Sequence, residues 1–375
     1  MQKKRLRIMF DYQAIYFQRF GGISRYIYDL ATSFSKYHEV KIPIICPKSY
    51  YFESFFGRKS SKFALWRWSK VILFPLNKFY NIITLLLFKP DILHLSYYNS
   101  YILPFIPSKT LLVVTVHDMI HEIYPHFFSK WDFIRFHKQI TLKRADLIIA
   151  ISENTKKDLI HFLNINPEKI KIIYHGNPIR NEFNSNPLER LIENQYFLFV
   201  GQRDKYKNFK VLLKAIAPLL IKHQFILLCV GGKSFSIEEI NQIDSLGITK
   251  YVKRSDCNEE QLKSAYKNAI CTIFPSEYEG FGFPILESWA MECPIILSNS
   301  SCFPEIAKDG ALYFDAYNEI ELRNNIERII SDSKLRRILI EKGNTYLENY
   351  TIEKMAFQTL DAYFRAIDIF KSSKT

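Results

Sequence analysis

Short, nearly uncharged runs of Ile, Val and Leu alternate along this chain with amphipathic stretches of helical period, and the pattern occurs twice. In the first half, RLRIMF, VKIPIIC, DILHL, LLVVTV, ADLIIAIS and KIKIIY read as strands. Nearly continuous apolar runs of that length are what strands buried on both faces require. Between them, RYIYDLATSFSK, KWDFIRFHKQITLKR and ENTKKDLIHFLN carry helical periodicity. Ser152 stands where an N-cap would turn a strand directly into a helix. Strands that alternate with helices in this way imply parallel sheets with crossover connections.

Residues 174–192 (YHGNPIRNEFNSNPLERLI) are rich in Asn and Pro and punctuate the chain as a linker would. The grammar then restarts. QYFLFVG, FILLCVGG, YVKRS, AICTIFP and PIILSN read as strands, separated by helices at NFKVLLKAIAPLLIK, SIEEINQIDSLG, NEEQLKSAYKN, FPILESWAMEC and CFPEIAKDG. Helical patterns fill the rest of the chain. The expectation is an α/β protein of two doubly wound parallel-sheet domains, residues 1–178 and 190–350, facing each other across a cleft. Ligands of such sheets bind beyond the carboxyl ends of the strands.

The six cysteines, Cys46, Cys229, Cys257, Cys271, Cys293 and Cys302, form no C-x-x-C pair and no zinc-type cluster with histidine, so they read as reduced core thiols of a cytosolic protein. In MQKKRLRIMFDYQ the apolar run is too short for a signal core, and FYNIITLLLF (79–88) is about half the length of a membrane span. The net charge of +13 is concentrated early, with 16 Lys and Arg against 5 Asp and Glu in residues 1–100. From Arg58 to Lys89 seven bases (Arg58, Lys59, Lys62, Arg67, Lys70, Lys78, Lys89) run without an acid, interleaved with Phe63, Trp66, Trp68, Phe74, Phe79 and Tyr80. Bases mixed with Trp and Phe suit an anionic membrane interface. A solvated basic face over ordinary core aromatics is the plain alternative. Nucleic acid fits less well, because no helix-turn-helix, RNP or zinc motif accompanies the charge.

Four stretches sit at strand-to-helix turns where chemistry is placed in doubly wound sheets. In SEYEGFGFPILES, Gly280 and Gly282 allow a ligand close to the backbone, Pro284 suits a first helical turn, and the helix N-terminus favours an anion. Glu279 and Glu287, on either side of that loop, can each accept hydrogen bonds from sugar hydroxyls; a plain capped helix is the alternative. In VGQRDKYKN, Arg203 and Lys207, with Lys205 between, suit a pyrophosphate, unless they are only a solvated charge cluster. Gly21 and Gly22 in QRFGGISRY occupy the position of a ligand-approach loop or of a plain turn. His117 in TVHDMIHEIYPHFF ends a strand, as a site residue or as a satisfied structural histidine. His121 and His126 do not have convincing metal spacing, and no Asp-x-Asp pair offers a divalent-metal diphosphate site.

Taken in order, GGISRY, TVHD, ISENTKKDL, VGQRDKYKN, the VGG strand end and the Glu279-x7-Glu287 pair resemble the retaining glycosyltransferases of family 4, which have the GT-B fold of two Rossmann-like domains. The VGQRDKYKN stretch resembles the branch that includes bacterial mannosyltransferases of surface polysaccharide assembly. The resemblance implies that Arg203 and Lys207 bind the donor diphosphate and stabilise its charge as it leaves. It gives Glu279 the hydroxyls of the transferred sugar, Glu287 the nucleotide ribose, and Gly280, Phe281, Gly282 and Phe283 backbone N–H groups for sugar and phosphate. His117 would lie beside the donor sugar, Gly21 and Gly22 beside the diphosphate, and a last helix over 352–375 would return to the first domain. It further implies a nucleotide-diphosphate sugar donor, with GDP-mannose favoured, no metal and no other cofactor. The acceptor would be a lipid-linked saccharide, bound by the first domain (residues 1–178) at the inner face of the cytoplasmic membrane, and the nucleotide sugar would be bound by the second (residues 190–350), with base recognition near residues 251–256. The alternatives are a sugar phosphorylase or nucleotide-sugar epimerase on the same fold, or a non-catalytic protein that binds membrane or nucleic acid.

Overall fold

The computed structural model describes residues 5–17, 21–45, 47, 49–56, 69–98, 100–129, 132–179, 190–203 and 205–372. Cys46, Arg58, Lys59, Lys62, Phe63, Trp66, Arg67 and Trp68 lie outside the described residues. Two compact units are present: residues 1–176 with 352–375, and residues 177–351.

The N-terminal unit holds a six-stranded, all-parallel sheet in the order β2-β1-β3-β4-β5-β6. Its strands are β1 (Arg7–Phe10), β2 (Glu39–Lys41), β3 (Ile92–Leu95), β4 (Leu111–Val116), β5 (Leu147–Ala150) and β6 (Ile170–Ile172). Every residue of β3, β4 and β5 is buried. The unbroken apolar runs therefore reflect helices on both faces rather than one solvated face, and each fully buried Val, Leu or Ile contributes about 1.5–3 kcal/mol. Ser152 caps helix Glu153–Leu163, its hydroxyl accepting from the Thr155 N–H at 3.0 Å. The last helix, Ile352–Ser372, packs Met355, Ala356, Ala362 and Tyr363 into the core of this unit. There the Tyr363 hydroxyl hydrogen-bonds His94 Nδ1 at 2.5 Å.

FYNIITLLLF forms the end of a 20-residue helix, Ser69–Phe88. Its inward face carries Leu73, Asn77, Asn81 and Leu85. Asn77 Oδ1 accepts from the Ile45 N–H at 2.7 Å and Asn81 Nδ2 donates to Pro43 O at 2.9 Å, so this face docks through amides as well as leucines. Ile72, Leu76, Phe79, Tyr80, Ile83, Leu86 and Leu87 are exposed. The helix is thus apolar on its outward side as well as in part of its inward one, leaving an apolar stripe exposed. Among the described residues no helix is long and apolar enough to cross a membrane.

The C-terminal unit has a second parallel sheet, in the order β12-β11-β10-β7-β8-β9. Its strands are β7 (Tyr196–Val200), β8 (Ile226–Val230), β9 (Val252–Ser255), β10 (Cys271–Phe274), β11 (Ile295–Ser298) and β12 (Leu312–Phe314). β12 corrects the expectation of helices alone after residue 309: Leu312, Tyr313 and Phe314 pair with Ile296, Leu297 and Ser298 at the sheet edge. The described cysteines, Cys229, Cys257, Cys271, Cys293 and Cys302, are free thiols.

Candidate active site

Read in chain order, the second sheet runs outward from β7 through β8 to β9, then returns to the other side of β7 with β10, β11 and β12. The reversal falls between β7 and β10, which pair directly, Thr272 opposite Leu198. The loops that leave the carboxyl ends of two such strands diverge and open a crevice, the usual ligand position of this topology. VGQRDKYKN follows β7 and SEYEGFGF follows β10. The Glu277 N–H donates to Tyr206 O at 2.8 Å and ties the two loops together.

Lys207 and Glu279 meet across this junction, the ammonium on Glu279 Oε1, with side chains 15% and 13% exposed. Lys207 ends a short 3-10 turn, Lys205–Lys207. Asn208 follows in the left-handed region (φ 54°) and its amide donates to Ala316 O at 2.5 Å. From the far side the β11 loop grips the glutamate's own backbone. Ser301 Oγ accepts from the Glu279 N–H at 3.2 Å and donates to Glu279 O at 2.5 Å, while the Cys302 thiol lies 3.2 Å from Glu279 O and Phe281 O.

Gly282 begins helix Phe283–Ala290 at φ 93°. A Cβ there would lie 3.0 Å from the Phe303 ring and 3.1 Å from Ile285, so the position excludes side chains on two grounds. Gly280 and the Phe281 ring are buried, the ring 6.0 Å from that of Tyr350. What Phe281 can offer a ligand is its backbone. Glu287 lies on the second turn of the same helix and is held separately, accepting from the Tyr266 hydroxyl at 2.6 Å. Burial pushes the Tyr266 phenol well above its ordinary range and keeps it a donor.

Arg203 is not brought against the Lys207–Glu279 pair; its recorded partners lie on the β8 side. Its guanidinium donates to Glu239 Oε1 at 2.7 Å and to Lys233 O at 2.5 Å, with Phe235 beneath at 4.6 Å. Gly232 (φ 68°) makes this possible, because a Cβ there would lie 3.0 Å from an Arg203 nitrogen and 3.1 Å from Gly201 O. In the 251–256 stretch, Arg254 donates to Gly232 O at 2.6 Å and pairs with Asp256. The sequence had offered Arg203, Lys207, Glu279 and Glu287 but not Glu239, Tyr266, Ser301 or Cys302. None of those four stands in a recognisable spacing; only the capping position of Glu239 after Ser236 carries a local signal.

His117, Gly21 and Gly22 belong to the N-terminal unit. Gly21 is the N-cap of helix Gly22–Ser35, where its carbonyl accepts from the Ser24 hydroxyl at 3.0 Å. His117 follows β4, its ring stacked on that of His175 (5.6 Å, 13°) and edge-on to Tyr26 at 5.3 Å. Its Nε2 is buried without a hydrogen-bond partner, and burial lowers the ring's pKa to about 4, so the imidazole is neutral at physiological pH. The Tyr98 hydroxyl accepts from the His117 N–H at 3.2 Å. The fully buried Lys138 donates to Asp118 O at 3.1 Å and to Glu122 Oε2 at 2.8 Å.

The family model described as Glycosyltransferase Family 4 matches residues 20–179, and that for Glycosyl transferases group 1 matches residues 181–346. The chain is 26% identical over 253 residues to the O-antigen chain mannosyltransferase RfbU of Salmonella typhimurium, covering 67% of this chain and 68% of that one. It is 27% identical over 221 residues to a Campylobacter jejuni N-acetylgalactosaminyltransferase whose name specifies a diphospho-undecaprenol-linked acceptor (58% and 60% covered). Among solved structures, Anabaena HepE in complex with UDP and glucose superposes with a TM-score of 0.71 at 17% identity, over 95% of this chain and 99% of that one. Both sheets therefore belong to the GT-B architecture.

Proposed function

Because the chain belongs to glycosyltransferase family 4, we propose that it transfers a hexose, mannose in preference, from a nucleoside diphosphate sugar to a lipid-linked saccharide in surface polysaccharide assembly, with retention of configuration and without a metal ion. The observation that carries this reading is the meeting of Lys207 and Glu279 at the reversal of the second sheet. Breaking the sugar–diphosphate bond leaves negative charge on the diphosphate, so catalysis requires positive groups already in place. Lys207 and the N-terminus of helix Phe283–Ala290 supply them at the junction, and Arg203, held by Glu239 and Lys233 O on the β8 side, is the further cation of the same loop. Glu279 holds hydroxyls of the transferred sugar while paired with Lys207, and Glu287, oriented by Tyr266, takes the ribose. The acceptor oxygen attacks from the face the diphosphate leaves, and a diphosphate oxygen takes its proton. His117, neutral and with an unused buried nitrogen, suits a hydrogen bond to an uncharged sugar hydroxyl without adding charge.

A donor panel (GDP-mannose, UDP-glucose, UDP-galactose, UDP-GlcNAc) tests this. The expected result is nucleoside diphosphate release fastest from GDP-mannose, insensitive to EDTA, with an α-linked product. Preference for a UDP-sugar would overturn the mannose assignment, and an inverted anomer the mechanism. The names of both relatives support a polysaccharide or lipid-linked acceptor.

Helix Ser69–Phe88 supports action at an anionic membrane surface. Its outward Ile72, Leu76, Phe79, Ile83, Leu86 and Leu87 match the acyl boundary, while Lys78 and Lys89 match the headgroups. Each base near such a surface contributes about 1 kcal/mol. Phe79→Asp/Leu87→Asp is expected to abolish co-sedimentation with phosphatidylglycerol vesicles while leaving turnover on a water-soluble acceptor intact. Undiminished sedimentation of that variant would remove the membrane reading.

A further inference from the structure

All three nitrogens of the Arg203 guanidinium are engaged by residues that follow β8. Nε donates to Glu239 Oε1 at 2.7 Å, Nη1 to Gly231 O at 3.4 Å and Nη2 to Lys233 O at 2.5 Å. The group also lies 4.6 Å from the Phe235 ring and 5.8 Å from that of Phe209. Two of its three hydrogen-bond partners are neutral carbonyls, so the charge is balanced by Glu239 alone. The neighbouring cation, Lys207, is balanced in the same way by Glu279. Glu279 also has sugar hydroxyls to hold in the reading above. Glu239 has no such task, and its carboxylate divides cleanly between two partners. Oε2 accepts from the Ser236 N–H at 2.6 Å, while the Ser236 hydroxyl accepts from the Glu239 N–H at 3.2 Å, a capping box that opens helix Ile237–Ser245. Oε1 is left over for Arg203.

The helix does not need the arginine. Its first turn carries Glu238 as well as Glu239, which suits the positive end of the dipole, and the capping box closes through Oε2. The arginine, for its part, has room to be drawn elsewhere. Gly201, two residues before it, stands at φ 125°, and nothing lies within 4 Å of where a Cβ would be. A guanidinium binds carboxylates and phosphates through the same fork of N–H groups, and a diphosphate offers more charge and more oxygens than one carboxylate. We propose that Glu239 is a positioning residue that competes with the donor diphosphate for Arg203, so that its carboxylate sets how tightly the donor binds. Each nucleotide that takes Arg203 must displace Glu239 Oε1, and the apparent affinity falls by the fraction of protein in which Arg203 is held by the glutamate. The proposal rests on the transferase reading and adds a residue that acts on the donor through Arg203.

Glu239→Gln isolates the effect, because glutamine serves a capping box as glutamate does while the charge opposite Arg203 is gone. Titration calorimetry of the full chain with GDP and with UDP reads it. The nucleotide that binds native protein more tightly should bind Glu239→Gln roughly tenfold more tightly still, the scale of one charge-assisted hydrogen bond withdrawn from the competitor. In an Arg203→Ala background the same substitution should bring no gain, since the glutamate acts through the arginine. Ser236→Ala breaks the capping box from its other end and keeps the carboxylate, so its nucleotide affinity should stay within about twofold of native even where its melting temperature falls. Unchanged or weaker binding by Glu239→Gln overturns the proposal and makes Glu239 a strut that holds Arg203 in place. A gain that persists without Arg203 also overturns it, because the carboxylate would then repel the nucleotide directly. Native protein that binds neither nucleotide removes the transferase reading together with the proposal, whereas native binding that Glu239→Gln leaves unaltered removes the proposal alone.

Discussion

Lys207→Ala is expected to lower kcat by roughly 10²–10³-fold, the range measured when one preorganised group is withdrawn from a developing anion (~2.7–4 kcal/mol). The loss should fall on kcat more than on the donor KM, because the diphosphate gains charge only as the sugar departs. Lys207 is partly exposed and its ammonium is bound to Glu279, so the substitution leaves the core of the C-terminal unit undisturbed and the melting temperature close to native. Glu279→Gln should also be impaired, and the double variant should lose less than the two single losses combined, since each single change strands a partner. Arg203→Ala should differ in kind. It removes a cation and also releases Glu239 and Lys233 O, so the melting temperature should drop along with turnover. Arg203→Lys should not rescue, because one ammonium cannot span the carboxylate and carbonyl that the planar guanidinium bridges. Steady-state kinetics with thermal melts decide the matter: a Lys207→Ala enzyme within about tenfold of native turnover would mean that Lys207 does not stabilise the leaving group.

The strand grammar of both units was readable because strands buried on both faces have a composition of their own. Strand order was not: the reversal between β7 and β10, which brings Lys207 to Glu279 across 72 positions of sequence, follows from pairing through space. The same holds for Ser301, Tyr266 and Glu239, ordinary residues made important by what they touch. Gly232 shows an intermediate case. In the sequence it is merely the end of a VGG strand, and only the approach of the Arg203 guanidinium explains why no side chain fits. β12 escaped because three residues, only Phe314 of them fully buried, leave too short a pattern among helices. Helix Ser69–Phe88 escaped as an element because its inward face mixes Asn77 and Asn81 with Leu73, Leu85 and Phe88 while other apolar residues face out, which blurs the signal that marks a docked helix.

The N-terminal unit is expected to lose on the order of a few kcal/mol of stability between pH 7.5 and pH 5.0, through histidines that have been buried neutral. His94, His117 and His175 surround Tyr26, and burial lowers their pKa values, to about 3 for His94, about 4 for His117 and well below the ordinary value for His175. The unfolded chain takes up protons on all three below about pH 6.5 while the folded chain does not. Stability is therefore present above that pH and lost as pH falls toward the folded values. Asp11 works in the opposite direction. Burial raises its carboxyl to about 6, so at pH 5 the folded state holds a proton that the unfolded chain releases. This offsets part of the loss. Urea unfolding followed through the histidine Cε1 proton resonances reads this unit, which contains eight of the nine histidines. His175→Phe keeps a ring beside Tyr26 and should weaken the pH dependence, whereas Asp11→Asn should deepen it by removing the opposing carboxyl. A native difference under about 1 kcal/mol between the two pH values would mean that these rings protonate without leaving the fold, and that His117 is charged in acid.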